Sequence, residues 1–455
     1  MKRICNRQVE YCWGESSAGR SGQSLCCFLT SFMVYALFAL PVWVSMAQPV
    51  AASDISRLIE EALSNNQDLL AEEEKVRALY TEAPFAGSLQ DPVVGIGLLN
   101  LPVDSFDFDQ EAMTQKQLFV SQKFPWFGTL GLKQQASELD AMAADARFQS
   151  KRLEVAARLV SAYYDLGFLA KSLELNTNLK SLVTQTLRIA ETRYGTGRGL
   201  QQDILAGQVK LSELIDEGIN LNSREQAVRA EIGSLLNRRT FFDESGPAAL
   251  DDPVSLPDRE LLNRVALEFS PELRARRAAL DRTRVQVQLA QKAYMPDFDV
   301  RLSYGQREDN PLTGDDRADF FSAVVAMTVP LYKASRQDPK LGAEEQRLAA
   351  AEKALLGFKN TLPHSIDRLL AEIKGAWENH SLYRNTLSIQ AANLADASLA
   401  AYSVSKIEFD TMLAARVRLL QIELGAEKYK YLAYKKLTEL EQLIGTSIES
   451  LEGVQ

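Results

Sequence analysis

The sequence predicts a mostly α-helical chain with a small β part, built from two copies of one structural plan. Three observations carry this expectation. First, landmarks recur at a nearly constant offset: Asp68-Leu69 returns as Glu272-Leu273 and Pro92 as Pro296 after 204 residues, Pro125 as Pro330 after 205, and Tyr194 as Tyr402 and Asn237 as Gly445 after 208. A period of that length is too long for a solenoid unit and marks a duplicated half. Second, four short stretches alternate apolar and polar residues, two in each half. Third, each half ends in long runs with apolar residues stepping by four and three, the spacing of coiled-coil packing.

The chain opens with a segment that reads as a secretory signal, residues 1–47. Basic residues (Lys2, Arg3, Arg7, Arg20) precede an apolar run from Leu25 to Met46, and Ser45-Met46-Ala47 suits a small-residue cleavage site. A run of about twenty apolar residues is also long enough to anchor a chain in a bilayer. All four cysteines (Cys5, Cys12, Cys26, Cys27) lie before the expected cut, so the exported chain relies on packing and assembly in place of disulfides. Cys26 follows Gln23-Ser24-Leu25, which lacks the small residue a lipid-attachment cysteine needs, and no lipid anchor is expected. Removing this leader, with its four basic and two acidic residues, takes the formal charge from −9 to −11. An acidic exported chain is a poor partner for nucleic acid or anionic lipid surfaces.

The first repeat spans 48–239. Its opening helix is expected from Asp54 to about Ala83, with Ser53 or Asp54 as the cap. A hairpin at 91–123 follows: Val94, Ile96 and Leu98 oppose Val93, Gly95, Gly97 and Leu99, and the return strand at 114–123 is the least regular of the four. Between them lies a long acidic loop, 100–113. At Phe124-Pro125-Trp126-Phe127 the strand gives way to helix, since proline ends a ladder and tolerates a helix start. From Leu132 to Tyr194 no proline interrupts the pattern, which allows a helix of about 95 Å. A polar connector at 240–257 joins the copies.

The second repeat, 258–455, matches it. A helix from about Pro271 to Tyr294 leads to a hairpin at 296–330. There Phe298, Val300, Leu302 and Tyr304 alternate with Asp297, Asp299, Arg301 and Ser303, and the partner strand puts Phe321, Ala323, Val325, Met327 and Val329 on one face. An acidic loop, 305–319, separates the two strands, and Pro330 ends the hairpin as Pro125 does. The long helical stretch from Leu341 to Tyr402 carries Pro363, where a kink or break is expected. Heptad positions run Leu175, Leu179, Leu182, Thr186, Ile189 in the first half and Leu387, Ala391, Leu394, Ser398, Ala401 in the second. Further apolar positions beside them (Leu432, Leu437, Leu440, Leu443) give each helix a second seam, which suits a hollow tube better than a solid pair.

Strands of nine to eleven residues are long enough to cross a bilayer at a tilt. An ordinary sheet on a soluble core shows the same alternation. Four strands cannot close a barrel, which needs about eight, so a lipid-facing reading requires several chains to pool their strands. Long acidic loops at one rim and tight proline turns flanked by aromatics at the other match the asymmetry of outer-membrane barrels.

Enzymatic chemistry is poorly represented. The two histidines, His364 and His380, stand sixteen residues apart, not at the spacing of a paired helical metal site. Asp107/Asp109 and Asp315/Asp316 sit in acidic loops with nothing to split them into acid and base. Gly195, Gly197 and Gly199 follow a helix, not a strand, and no Gly-Lys-Ser/Thr follows, so they read as helix-end glycines and not as a phosphate loop. No nucleophile elbow or nucleotide fingerprint appears. Neither a cofactor nor a resident metal is expected.

With this plan in view, the stretch DPVVGIGLLNLPVDSFDFDQEAMTQKQLFVSQKFPWFGTLGLK (91–133) and the paired tips RYGTGRGLQQDIL (193–205) and AYSVSKIEFDTML (401–413) resemble the TolC family of outer-membrane efflux ducts, in look nearest its metal-cation branch. The resemblance covers nearly the whole mature chain. It implies a TolC-like trimeric α/β barrel: a homotrimer whose twelve strands form one barrel in the outer-membrane lipid and whose helices continue as a periplasmic tunnel narrowing at the tips. It also implies work with a periplasmic adaptor (membrane fusion protein) and an inner-membrane pump of a Gram-negative cell, and no nucleic-acid partner. In the family, carboxylates and tyrosines near the tips close the narrow end. Tyr194, Gly197 and Asp203 match the first tip pattern; Tyr402 matches the second, and Asp410 lies near its acidic position. Ser405 stands where a glycine is usual, and Ala414 where a second acidic residue is usual. At the other end of the helices, the strand-to-helix turns carry Pro125, Trp126 and Pro330. The other reading is a periplasmic coiled-coil adaptor or scaffold, which also carries heptad hairpins and an export signal. Adaptors usually have one hairpin among many short strands, whereas here four helices dominate.

Overall fold

The computed structural model describes residues 54–240, 255–404 and 406–451, together with Phe242, Glu244, Gly246, Pro247 and Leu250 of the connector. The leader with its cysteines lies outside the described residues, and so does Ser405.

Each repeat opens with two helices, not one. In the first, α1 (Asp54–Asn65) and α2 (Gln67–Ala86) are separated by Asn66; in the second, α5 (Arg259–Phe269) and α6 (Pro271–Lys292) are separated by Ser270. The breaks stand 204 residues apart and adopt nearly the same backbone, ψ 116° at both. Asn66 replaces the lost helical bonds: its side chain accepts from Leu69 N–H (3.1 Å) and donates to the Leu235 carbonyl (3.2 Å). The first break divides the single helix expected from Asp54 to about Ala83; in the second repeat the helix expected from about Pro271 starts at Pro271, and α5 precedes it where no helix was expected.

The strands β1 (Val93–Leu99), β2 (Gln115–Phe124), β3 (Phe298–Gln306) and β4 (Phe320–Met327) form one antiparallel sheet in sequence order. The pairing of β2 with β3, from Lys116↔Gln306 to Phe124↔Phe298, joins the two repeats. Register places Ile96, Leu118, Tyr304 and Phe321 in one row and Val94, Val120, Leu302 and Ala323 in another. This face is apolar and exposed, with Ile96 86 % and Val325 69 % accessible. The opposite face holds Ser121, Asp299, Arg301 and Ser303; Ser121 donates to Asp299 (2.5 Å), and Arg301 lies over the Phe119 ring at 4.9 Å. Phe119 in turn lies flat on Gly95, where an added Cβ would meet the ring at 2.5 Å. Within the chain, β1 and β4 each leave one edge unpaired.

Below the sheet run two helical columns. The helix α3 (Thr129–Gly195) is 67 residues long, about 100 Å. Its counterpart comprises α7 (Gln337–Leu382), a π-turn (Tyr383–Leu387) and α8 (Ser388–Ser403), again 67 residues from Gln337 to Ser403. Contrary to the expectation from sequence, the column does not break at Pro363. Helix continues through the proline, and the interruption comes twenty residues later, at the π-turn. Each column turns back into a partner, α3 into α4 (Gln201–Leu235) and α8 into α9 (Phe409–Ile444). The two return helices end alike: Asn237 (φ 53°) and Gly445 (φ 85°) both take the left-handed conformation that terminates a helix. Gly445 is further fixed by crowding, since a Cβ there would meet the Phe269 carbonyl oxygen at 2.5 Å.

Each repeat builds its own core beneath the sheet. Leu58, Leu69, Leu159, Leu166, Ile232 and Phe242 pack in the first, and Leu262, Ile366, Ile373, Leu440 and Ile444 in the second. Between these cores the columns are joined by Tyr164–Tyr434 (5.5 Å), Phe168–Tyr431 (6.1 Å) and the ion pair Lys435–Asp165 (2.7 Å). Among the described residues no helix is long and apolar enough to cross a membrane.

At the end of α9, Glu441 accepts a hydrogen bond from Ile448 N–H (2.9 Å). Burial, reinforced by neighbouring Glu449, outweighs that bond and pushes the carboxyl up to about 7 from its ordinary 4.5. The folded chain therefore holds this proton more tightly than the unfolded one. Stability falls as pH rises from about 4.5 to about 7, by on the order of 3 kcal/mol per chain. Glu441→Gln keeps an acceptor for Ile448 and removes the penalty. Thermal denaturation in detergent should show the variant more stable than wild type near pH 8 and indistinguishable near pH 4.

Candidate functional site

The two helical turns farthest from the sheet carry the residues singled out by the sequence. α3 ends at Gly195, and just past its cap Gly197 turns left-handed (φ 71°), with Gly197 N–H bonded to the Tyr194 carbonyl (2.9 Å) and Arg198 N–H to that of Arg193 (2.8 Å). Gly197 is thus required by the helix stop itself. Asp203 and Asp410 fall in the first turns of α4 and α9, where a carboxylate meets the positive end of the helix dipole.

The structure separates these residues into an inward and an outward set. Tyr402 is buried, while Tyr194 is about half exposed and Asp410 is exposed. Arg193 spans the two tips: its Nη1 donates to the Tyr402 carbonyl (2.9 Å), and its guanidinium lies 4.6 Å from the centre of the Tyr402 ring. Burial pushes the Tyr402 hydroxyl above its ordinary range, with negative Asp203 adding to the effect and Arg193 opposing it. Tyr402, Asp203 and Arg193 therefore form one electrostatic group drawn from both repeats.

Phe409 completes the tip. Fully buried, it meets the Tyr402 ring edge-on at 5.9 Å and roofs Gly207, where a Cβ would lie 3.4 Å from its ring and 2.9 Å from Leu187 Cδ1. Around it Leu179, Val183, Ala190 and Leu214 of the first repeat pack with Met412 and Leu413 of the second. Sequence reading missed Arg193, Gly207 and Phe409. Only Phe409 left a signal, as the apolar residue opening α9 just before the acidic one.

At the opposite end, the proline turns hold the sheet on the columns. Trp126 N–H donates to Asp297 Oδ1 (2.9 Å), and the indole stacks on Phe298 (5.9 Å, 23°), with Phe127 edge-on at 5.6 Å. The Asp297 carbonyl accepts from Thr328 N–H (2.9 Å), so this residue ties β4's end to the Pro125 turn. Beyond Pro125 and Pro330, Phe127, Leu331 and Tyr332 remain exposed.

An exposed apolar sheet on two helical columns of about 100 Å, with a polar cluster at the far tip, defines a duct-type membrane protein. The family model described as outer membrane efflux protein matches residues 58–237 and 262–446, one match per repeat, and the chain belongs to that family. It is 24 % identical over 343 residues to the nickel and cobalt resistance protein CnrC of Cupriavidus metallidurans, covering 71 % of this chain and 74 % of that one. To the cobalt-zinc-cadmium resistance protein CzcC of the same organism it is 22 % identical over 314 residues, 68 % of this chain and 72 % of that one. Among solved structures, the outer-membrane channel OprN superposes with a TM-score of 0.74 at 17 % identity, covering 87 % of this chain and 90 % of that one. The fold is therefore TolC-like, and the chain is an outer-membrane efflux channel that reaches into the periplasm. Family members are trimeric channels, not enzymes, and work with an adaptor and an inner-membrane pump.

The packing ranks the tip residues by energetic weight. Phe409→Ala removes a fully buried ring and should cost about 3–5 kcal/mol at the tip, whereas Asp410→Ala loses a dipole contact of about 0.3–1 kcal/mol. Limited proteolysis of the 193–205 and 401–413 turns should be strongly accelerated in the first variant and nearly unchanged in the second.

Proposed function

We propose that three copies of this chain form one efflux duct, with twelve strands closing a single barrel in the outer-membrane lipid and the columns forming a periplasmic tunnel. The carrying observation is the open sheet, whose β1 and β4 edges lack partners while one face is apolar and exposed. In hydrocarbon each unpaired backbone group costs several kcal/mol, and only closure by further strands removes the edges. The outer columns support the same assembly. Leu205, Val209, Ile215 and Ile219 on α4, and Ile389, Leu394 and Leu399 on α8, are exposed in the single chain. A neighbouring copy would cover part of this surface; the second-seam residues expected on α9, Leu437, Leu440 and Leu443, pack instead in the second repeat's own core.

In this trimer the tip residues Tyr194, Gly197, Asp203, Tyr402, Ser405 and Asp410 surround the periplasmic aperture, and Pro125, Trp126 and Pro330 mark where barrel becomes tunnel. A periplasmic adaptor and an inner-membrane pump deliver the cargo. Divalent metal cations are the cargo class, supported by the resistance names of CnrC and CzcC. With Ala414 at the usual second acidic position, the acidic residues matched to the aperture are Asp203 and Asp410, three copies of each in the trimer.

Mass measurement in detergent should return three copies per particle; a stable water-soluble monomer would refute the duct. Val325→Arg places a charge on the apolar face, at a cost of about 2–4 kcal/mol near the middle of a membrane, while Ser322→Arg points to the polar face. Trimer yield should fall for the first and hold for the second.

Three carboxylates around a narrow axis attract cations. Single-channel recordings with cobalt or potassium salts should show lower cation preference or higher conductance for Asp203→Ala and Asp410→Ala in intact trimers. Unchanged currents with slightly lower thermal stability would leave both aspartates only their role at the helix start.

A further inference from the structure

Midway along the columns lies a cavity of about 580 Å³ that neither the sheet nor the tips use. Its volume falls in the range of small-molecule sites. Its walls come from both repeats: one stripe of α3 between Leu166 and Glu174, one of α9 between Glu423 and Tyr431, and His380, Arg384 and Ser388 at the π-turn of the second column. The connector closes a further side and is held there firmly. A Cβ on Gly246 would collide with the Gly167 nitrogen, so the two backbones touch. Arg229 of α4 donates to the carbonyls of Phe242 (3.1 Å) and Glu244 (2.9 Å), and Lys430 of α9 donates to that of Leu250 (2.6 Å).

Most charges around this cavity already have partners. Arg229 and Lys430 hold the connector, and Lys171 pairs with Glu174 (2.8 Å). Three do not: Glu423 and Glu427, both half-buried on α9, and Arg384 on the π-turn make no hydrogen bond or ion pair with any described residue. Burial holds the Glu423 carboxyl above its ordinary range, and only the positive charge of Lys171 opposes this. A carboxylate drawn partly out of water without a donor is costly, and perturbed groups of this kind gather at binding sites. His380 adds an acceptor: its Nδ1 donates to the Ala426 carbonyl (2.8 Å), which leaves the lone pair of the neutral ring on Nε2.

Two carboxylates and one guanidinium call for two cations and one anion. A metal ion takes several converging ligands, and among the described residues no three His, Cys, Asp or Glu side chains are grouped to hold one. An organic ammonium is satisfied by one carboxylate. Glu423 and Glu427 stand four residues apart, ~6 Å along the helix, a separation that the four methylenes of a lysine side chain span. A plain diamine brings nothing to Arg384, and a plain carboxylate meets two like charges.

We propose that this mid-column cavity binds a basic amino acid, with its two ammonium groups on Glu423 and Glu427 and its carboxylate on Arg384. The site lies within one chain and goes beyond the duct reading without depending on it. The bound molecule ties α9 to the second column beside the wall that α3 provides. Because it binds only the folded chain, it raises thermal stability as its concentration rises.

Isothermal titration calorimetry of the full-length protein in detergent tests this, with L-lysine as the probe. Saturable binding is expected. Affinity should be about ten-fold weaker or more for 1,5-diaminopentane, which lacks the carboxylate, and for 6-aminohexanoate, which lacks the α-ammonium, because each leaves a charge of the site unpaired. Glu423→Gln and Arg384→Gln should each weaken L-lysine to a similar degree, whereas Lys428→Gln, exposed on α9 away from the cavity, should bind as wild type does. Melting curves without ligand identify any variant that folds poorly, and the analogue series on the wild-type chain decides in that case. Absence of saturable heat with millimolar L-lysine would overturn the proposal. So would equal affinity for the diamine, or well-folded Glu423→Gln and Arg384→Gln variants that bind L-lysine unchanged.

Discussion

The ladder between β2 and β3 is the interaction on which the rest of the molecule depends. Nine residue pairs join segments nearly 180 residues apart, and no other strand pairing crosses between the repeats. Because strands lie about 4.8 Å apart, this ladder fixes where the two proline turns emerge and hence where both columns begin. Asp297 then sets the angle of descent, holding the Trp126 amide with its side chain and the Thr328 amide with its carbonyl. The columns meet again through the mid-height aromatics and, at the far end, through Arg193, Tyr402 and Phe409. Two copies of one plan thus become one body through these contacts and through α6, which packs along α3 beneath the sheet and pairs Arg282 with Asp140 (2.6 Å).

Much of this was legible in sequence because the signals were backbone signals. Asn237 and Gly445 recur at 208 residues because each must take a left-handed conformation at a helix end, a demand that few residues meet. Pro125 and Pro330 recur because a ladder has to stop there. The alternation in β3 was plain for the same reason: its register follows strictly from a period of two. The break at Asn66 is less visible, because its cap is made by one asparagine side chain inside a polar stretch, whereas the one after Ser270 is announced by Pro271, which suits a first helical position. Pro363 misled in the opposite direction. A proline removes a single donor, and a helix anchored along one face by Leu362, Ile366 and Leu369 in a packed core continues through that loss.

The tip shows where sequence reading runs out. Tyr402, Asp203 and Gly197 belong to local patterns that the sequence singles out, but Arg193 acts 209 residues away through space, and nothing local distinguishes it from any arginine near a helix C-terminus. Gly207 reads as an unremarkable helical glycine until Phe409 is seen lying over it. The heptad reading had a related limit. It places Leu387, Ala391, Leu394, Ser398 and Ala401 on one seam; Ala391 and Ser398 are indeed buried, but their buried neighbours are Ala395 and Tyr402, with Leu394 outside. A π-turn just above rotates everything below it by about the angle of one extra residue, some 100°, and so redistributes the seams.

That rotation explains why the repeats cannot be interchangeable. Were the second column regular, Leu394 and Ala401 would turn toward α9 in place of Ala395 and Tyr402, and the two hairpins would pack alike. One extra residue in the π-turn instead gives the second hairpin an inner seam of Ala391, Ala395, Ser398 and Tyr402, while the equal total length of 67 residues keeps both tips at the same level.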